Sequence, residues 1–329
     1  MSGPRLLVAV FALLSRAICI PAPAVAASGP FASAPGAPGP AAAGTLTLAT
    51  WNLEWLVSPA TQLAARTLCR NGAIARLPCD VALDLARSSG DYAVLARYAR
   101  QLDADVVALQ EVEDAATAAL LFKGYDFCFT RRGDPQNVGF AIRKGIPHRC
   151  APDVLSLSLR DRLRRGAQLQ LYPGSPREIW LLSIHLKSGC ARDALGSSRA
   201  ACRSLTRQVP ALAAWIDAQV AAGRRYAVLG DFNRTLAADA DERQDGGLWR
   251  RLADGKPTDE RLVDTAAGTA FVNCHVGQTF AGYIDYIVLG GGLADEWRPA
   301  QIRRQVYSSR DAQRYRLSDH CPVTLRLGG

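Results

Sequence analysis

Six places in this 329-residue chain put side chains that could hold a metal or move a proton where an apolar run gives way. Residues 226–233 read Tyr-Ala-Val-Leu-Gly-Asp-Phe-Asn. A short apolar run closed by a breaker reads as a buried strand. On an extended chain residues i and i+2 share a side, so Asp231 and Asn233 project together. An acid beside an amide can hold a water or a metal-bound oxyanion; the same four residues also suit a turn. Residues 51–55, Trp-Asn-Leu-Glu-Trp, repeat the spacing with Asn52 and Glu54. Glu111 follows the apolar run 106–109. It is either a strand-end carboxylate in need of a partner or an acid that favours the start of the next helix. His185 and Lys187 end another apolar run, where a lone histidine can be structural or catalytic. Asp285 lies in the middle of the apolar stretch 283–289, where burial demands a hydrogen-bond partner or counter-charge. Asp319 and His320 precede the last apolar run, 323–327.

These residue types suit one reaction. The hard oxygen donors Asn52, Glu54 and Glu111 fit Mg²⁺ or Mn²⁺, which bind through few protein carboxylates and keep waters for a phosphate substrate. An acid beside the metal can orient or deprotonate an attacking water. A histidine held by a carboxylate can stabilise developing charge or act as acid or base, with Asp285 orienting His320.

Strands and helices must bring these groups together. Strands are expected at 45–51, 106–109, 125–129, 138–142, 154–159, 167–172, 178–184, 226–230, 283–289 and 323–327. Short Gly/Pro/Asp turns make the middle of the chain antiparallel. Helical spacing marks 92–102, and a second helix follows at 114–122. A third spans 204–220; Pro210 fits a first turn, which would start that helix near Val209. Residues 57–90 form a long polar excursion, expected to be an ordered insertion tied by a disulfide.

Residues 1–26 carry the marks of a signal peptide: Arg5, an apolar stretch at 6–14, and Ala-Val-Ala at 24–26. Residues 27–44 read as an Ala/Pro/Gly linker, and 45–329 as one large domain. No integral membrane span is expected in the mature chain. The formal charge of +9 falls by two when Arg5 and Arg16 leave with the signal. A basic surface suits a phosphodiester or other anionic partner, though an exported protein can be basic without one. Eight cysteines remain after the leader, an even number that suggests disulfides and a secreted or periplasmic location. Cys69–Cys79 and Cys190–Cys202 are the local pairings, and Cys128–Cys150 and Cys274–Cys321 follow by elimination. The absence of Cys-x-x-Cys argues against structural zinc.

Trp-Asn-x-Glu, Gln-Glu-Val, Ile-His-Leu-Lys-Ser, Gly-Asp-Phe-Asn, Asp-Tyr-Ile and Ser-Asp-His-Cys-Pro occur in this order over about 45–327. In this the chain resembles the endonuclease/exonuclease/phosphatase superfamily, which includes deoxyribonuclease I, exonuclease III-like enzymes, neutral sphingomyelinases and inositol polyphosphate 5-phosphatases. The resemblance implies an α/β, four-layered sandwich of two mixed, mostly antiparallel sheets flanked by helices. It implies Glu111 as main metal ligand with Asn52 and Glu54 beside it, and Asp319 near the metal. Asp231 and Asn233 would position or activate the attacking water and the phosphate, and Asp285 and His320 would form an orienting pair. His185 resembles a second histidine of the deoxyribonuclease I and sphingomyelinase branches, which leans away from a dedicated repair enzyme. The expected activity is that of an exported, monomeric, Mg²⁺-dependent phosphodiesterase, an endonuclease on DNA or RNA. The alternatives are a phospholipid or sphingomyelin phosphodiesterase, a small-molecule phosphatase and, remotely, a non-catalytic binding module on the same fold.

Overall fold

The structure, a computed structural model, describes residues 44–236, 247–258, 261–274, 278, 282–298 and 301–328. The expected signal peptide at 1–26 lies outside the described residues, as does all of the expected linker but residue 44. Where β-branched and leucine residues alternate, strands form: β1 (Leu46–Leu56), β2 (Val106–Val112), β3 (Tyr125–Phe129), β4 (Asn137–Arg143), β5 (His148–Val154) and β6 (Gly166–Leu171). The rest are β7 (Ile179–His185), β8 (Tyr226–Asp231), β9 (Leu262–Asp264), β10 (Asp285–Gly290), β11 (Ile302–Arg304) and β12 (Val323–Leu327). They assemble into two six-stranded sheets, ordered β11-β12-β1-β2-β4-β3 and β5-β6-β7-β8-β10-β9. The pairs β1–β2 and β7–β8 are parallel and the other pairs antiparallel, so both sheets are mixed.

Alternation sets the layers. Leu46, Leu48, Val106 and Ala108 of one sheet meet Leu181, Ala227, Leu229, Ile287 and Leu289 of the other in an apolar core between the sheets. The opposite face of the first sheet, with Ala49, Trp51, Val107 and Leu109, packs under α3 (Ser89–Leu102) and α4 (Ala115–Leu121). The opposite face of the second, with Leu182, Ile184, Tyr226 and Val228, packs under α5 (Ala200–Ala221). The result is the expected four-layered sandwich.

The excursion at 57–90 is ordered. It carries α1 (Pro59–Arg70) and α2 (Cys79–Asp84), joined by the Cys69–Cys79 disulfide around a small core of Val57, Ala65, Leu77, Val81 and Ala82. The other three expected disulfides, Cys128–Cys150, Cys190–Cys202 and Cys274–Cys321, are also formed.

Three expectations about element boundaries fail. The strand placed at 154–159 is instead the end of β5 and a short 3₁₀ turn, Leu155–Ser158, with Leu157 buried and Leu159, Arg160 and Asp161 at positive φ. The third helix starts at Ala200, and Pro210 lies inside it. Burial of Cys202, Leu205 and Val209 and the Cys190–Cys202 bridge hold the turns before the proline, offsetting the backbone bond it removes. Asp285 opens β10 rather than lying in its middle.

One glycine is required by close approach. Gly230 pairs with Ile184 across β7–β8 at φ +145, and a Cβ there would lie 2.0 Å from the Ile184 carbonyl oxygen. Backbone in a central strand cannot step aside as a flexible side chain can. Gly230→Ala is therefore expected to cost about 2–4 kcal/mol, from overpacking and backbone strain together. Chemical denaturation checks it, and an unchanged midpoint would show that the two strands can separate at this point.

Candidate active site

The core between the sheets turns polar at one end. Following the inward face of each strand, Thr50 Oγ1 donates to Gln110 Oε1 (3.1 Å) and Gln110 Nε2 to Ser183 Oγ (3.2 Å). Two residues further along, the same faces present Asn52, His185 and Asp231, and the start of β10 adds Asp285; all four are buried. Register aligns three of them, since His185 pairs with Asp231 across β7–β8 and Asp231 with Asp285 across β8–β10.

The Asp231 carboxylate sits at the centre. Oδ1 accepts from the Asn233 backbone N–H (2.7 Å), and Oδ2 from Asn52 Nδ2 and Asn233 Nδ2 (both 3.1 Å). His185 Nε2 lies 3.4 Å from Oδ2. Asn233 reaches back because it adopts φ 53, the left-handed region that asparagine tolerates, and its amide also donates to the Leu186 carbonyl (3.1 Å). Burial raises the Asp231 pKa, His320 opposes that, and Asp285 and Glu111 add to it; the carboxyl is pushed up to about 7. Burial, with the Arg164 cation second, drives His185 well below the ordinary histidine value, so its ring is neutral at pH 7. Its Nδ1 has no partner among the described residues.

His320 comes from the loop before β12. Burial alone would lower its pKa, but Asp285, whose Oδ2 lies 2.8 Å from His320 Nδ1, outweighs that with help from Asp231 and Asp319. The ring is held well above its ordinary value. Its backbone is fixed on several sides: Ser318 Oγ donates to the Asn52 carbonyl (2.7 Å), the His320 N–H to Ser318 Oγ (3.0 Å), and Tyr307 OH to the His320 carbonyl (2.7 Å). The Cys274–Cys321 bridge anchors the next residue.

Glu111 and Glu54 reach the site through breaks in the pleat. Strict alternation would turn Glu111 away from the inner face that carries Val106, Ala108 and Gln110. A register shift between Gln110 and Val112, with Glu111 at φ 58, swings it inward. There Oε1 accepts from Asn52 Nδ2 (3.3 Å), Oε2 from the Trp55 N–H (3.2 Å), and His185 Nε2 lies 3.7 Å away. β1 runs past Asn52 to Leu56 and is likewise irregular: Glu54 and Trp55 adopt φ 44 and 52. Asn52 and Glu54 are thus not the same-side pair of a regular strand. Asn52 faces Asp231 and Glu111, whereas Glu54 accepts from Arg316 (3.0 Å) and the Asp319 N–H (3.2 Å). Lys187 lies beyond β7 and donates to the Ser188 carbonyl.

Two groups of donors could take a cation. Asp231, Asp285 and His320 bring one ligand atom each within 4.8 Å of one another. That trio is nearly closed to solvent, and one Asp285 oxygen and one His320 nitrogen already bond to each other. Glu54, Glu111 and Asp319 suit a hydrated hard cation better, because their side chains are 17, 15 and 48 % exposed and leave room for waters. Burial and then the charge of Asp319 raise the Glu54 pKa against the pull of Arg87 and Arg316. Those three do not close to within 4.8 Å of one another, so a divalent ion on that side would be held in part through waters.

A sequence model described as the Endonuclease/Exonuclease/phosphatase family matches residues 49–320. No curated protein matches the sequence significantly. Solved structures share the fold at low identity. A truncated Caenorhabditis elegans TDP2 aligns at 15% identity and TM-score 0.50, over 88% of this chain and 99% of its own. The Neisseria 3′ phosphatase NExo, bound to a product DNA hairpin, aligns at 16% and 0.52, over 86% and 100%. The human Nocturnin catalytic domain with bound sulfate gives 13% and 0.52, over 86% and 94%.

Two arginines escape motif reading altogether. Arg164, from the loop before β6, donates to the Leu186 carbonyl (2.8 Å) close to Glu111 and Asp231; burial lowers its pKa and those carboxylates raise it. Arg87, between α2 and α3, is buried and donates to the carbonyls of Leu53, Glu54, Trp55, Arg316 and Leu317. It ties the broken end of β1 to the loop that carries Asp319 and His320. The only available cue was an arginine in a segment that the motifs skip. Arg87→Lys keeps the charge but offers three donors to five carbonyls. It is expected to destabilise the fold by about 2–4 kcal/mol and to lower turnover beyond what unfolding explains. Thermal melts paired with rates on the folded fraction check this, and an unaltered protein would mean the carbonyls find other donors.

Proposed function

The chain belongs to the Endonuclease/Exonuclease/phosphatase family, and on that premise we propose that it is an exported, divalent-metal-dependent phosphodiesterase acting on nucleic acid. The observation that carries this reading is the alignment of His185, Asp231 and Asp285 across three adjacent strands, beside the Asp285–His320 pair and three partly exposed carboxylates. Glu111, with Glu54 and Asp319, would hold Mg²⁺ or Mn²⁺, which supplies positive charge to the phosphate oxygens. Asp231, with a pKa near 7, accepts the proton of the attacking water. Asn52 and Asn233 fix that carboxylate by donating to it. Cationic His320, steadied by Asp285, donates to a phosphate oxygen as charge accumulates there. Neutral His185 lies between Glu111 and Asp231 and contributes a second ring donor. Water forms the new P–O bond, the bond to the leaving alkoxide breaks, and that oxygen leaves with a proton from solvent or His320.

Nucleic acid as substrate is supported by the basic chain and by the Neisseria relative of the same fold, a 3′ phosphatase with product DNA. Export is supported by the four disulfides, since such bridges persist in oxidising compartments. No helix among the described residues is long and apolar enough to cross a membrane. Plasmid DNA and RNA incubated with Mg²⁺ or Mn²⁺ should be cut, and EDTA should stop the cutting. Asp231→Asn and His320→Ala should each lower kcat by about 10²–10⁴ with the fold intact by circular dichroism. Failure to cut either polymer with any divalent ion would sink the nuclease reading, and release of phosphocholine from sphingomyelin would replace it with a lipid substrate.

A further inference from the structure

The excursion at 57–90 does more than lengthen the chain. Its helix α1 and residues 75–77 form one side of a cavity of about 450 Å³, and residues 113–114 and the β3–β4 loop form the other. That volume lies in the range of small-ligand pockets. The floor is apolar: Leu77 and Pro135 are buried, and Leu68 stands partly exposed on the wall.

Charge on the rim is unequal in availability. Three acids line the cavity, but each is engaged. Glu113 accepts from the Ser58 N–H and from the hydroxyls of Thr61 and Thr117; Asp114 caps α4 through the Thr117 N–H; Asp134 accepts from Arg132 and the Gln136 N–H. Arg76 and Arg131 form no ion pair within 4 Å among the described residues, and both are exposed, although Arg131 lies near enough to Asp153 to oppose the burial that raises that carboxyl's pKa. A cavity with an apolar floor and two available guanidinium groups suits a flat apolar ring joined to an anion. A nucleotide has that composition, because its base can lie on leucine, proline or a guanidinium plane while arginine takes the phosphate.

The cavity shares no lining residue with the candidate active site but begins next to it in sequence. Glu113 is two residues beyond Glu111 on the same strand end, and its carbonyl is held by Asn137 Nδ2 (2.8 Å). Arg164 lies close enough to feel Glu111 and Asp231 as well as Arg132 and Asp134 on the rim. A strand with one phosphate at the carboxylates can therefore reach the cavity with its neighbouring nucleotide.

We propose that this cavity is the subsite for the nucleotide next to the scissile phosphodiester, and that it takes that nucleotide unpaired, from a single strand. A base inside a duplex is stacked on both faces, so it must leave the stack before it can enter a recess. This rests on the nuclease reading above. It makes the excursion a source of strand selectivity.

The test compares three substrates: a short labelled single strand, the duplex of the same sequence, and bis(p-nitrophenyl) phosphate, a diester too small to span both sites. The wild-type protein should cleave the single strand faster than the duplex. In Arg76→Ala/Arg131→Ala, kcat/KM on the single strand relative to the small diester should fall about tenfold or more, through KM. Its salt dependence should weaken by about one phosphate contact per arginine. Leu68→Glu, at an exposed position that leaves the fold intact, should lower the same ratio. If the ratio stays within about twofold of wild type in both variants, or if duplex is cut as fast as single strand, the subsite is wrong while the nuclease reading stands. If wild type cleaves no diester at all, the nuclease reading falls and the subsite falls with it.

Discussion

A carboxylate 1 % exposed, Asp231, sits at the end of an apolar core with two histidines and two further acids around it. Burying such a group unpaired would cost several kcal/mol. Much of the surrounding structure answers that demand. Asn52 and Asn233 supply donors, Gly230 lets β8 lie against β7 one residue earlier, and His320 is set opposite by its bond to Asp285. The same burial that makes Asp231 costly raises its affinity for a proton into the neutral range.

Sheet register and broken pleat divide the remaining work. Regular pairing delivers His185, Asp231 and Asp285 to one level. Irregular backbone delivers Glu111 and Glu54, at positive φ where side chains with a Cβ are strained. Strain of this kind persists only where surroundings over-determine it. Arg87 is one restraint on the end of β1, with its guanidinium spread over carbonyls of β1 and of the 316–317 loop. The loop bearing Asp319 and His320 is bound to the same arginine through Arg316 and Leu317, and Glu54 and Asn52 add bonds to Arg316, Asp319 and Ser318 across the same gap.

Much of the site was legible because alternation is a local rule. An apolar run that ends in Asp231 or His185 announces a strand end whose inner face points to a pocket, and six such ends in one order are hard to assemble by chance. The sandwich followed from the same runs. What stayed hidden depends on distance or on departures from the rule. Period-two reasoning paired Asn52 with Glu54, but left-handed residues at 54 and 55 part them. It read 154–159 as extended, although the same leucine spacing serves a 3₁₀ turn that buries Leu157. Pro210 argued for a late helix start, and packing on α5 overrode it. Arg87 and Arg164 act on carbonyls and carboxylates up to 230 residues away, beyond the reach of any local pattern. The excursion at 57–90 reads as an ordered insertion tied by a disulfide, but the cavity it lines depends on residues 113–137 far along the chain.

The proposed chemistry needs a divalent ion on the exposed carboxylates and the phosphate against the buried ring groups. A crystal structure with Mn²⁺ and a phosphorothioate dinucleotide tests that division most directly, because manganese is located by its anomalous signal. The expected result is manganese on Glu111 with Glu54 or Asp319, the Asp285–His320 bond intact, and the phosphorus between Asn233, His185 and His320. Manganese seated on Asp231, Asp285 and His320 with that bond broken, or phosphorus away from this end of the sheets, would contradict it.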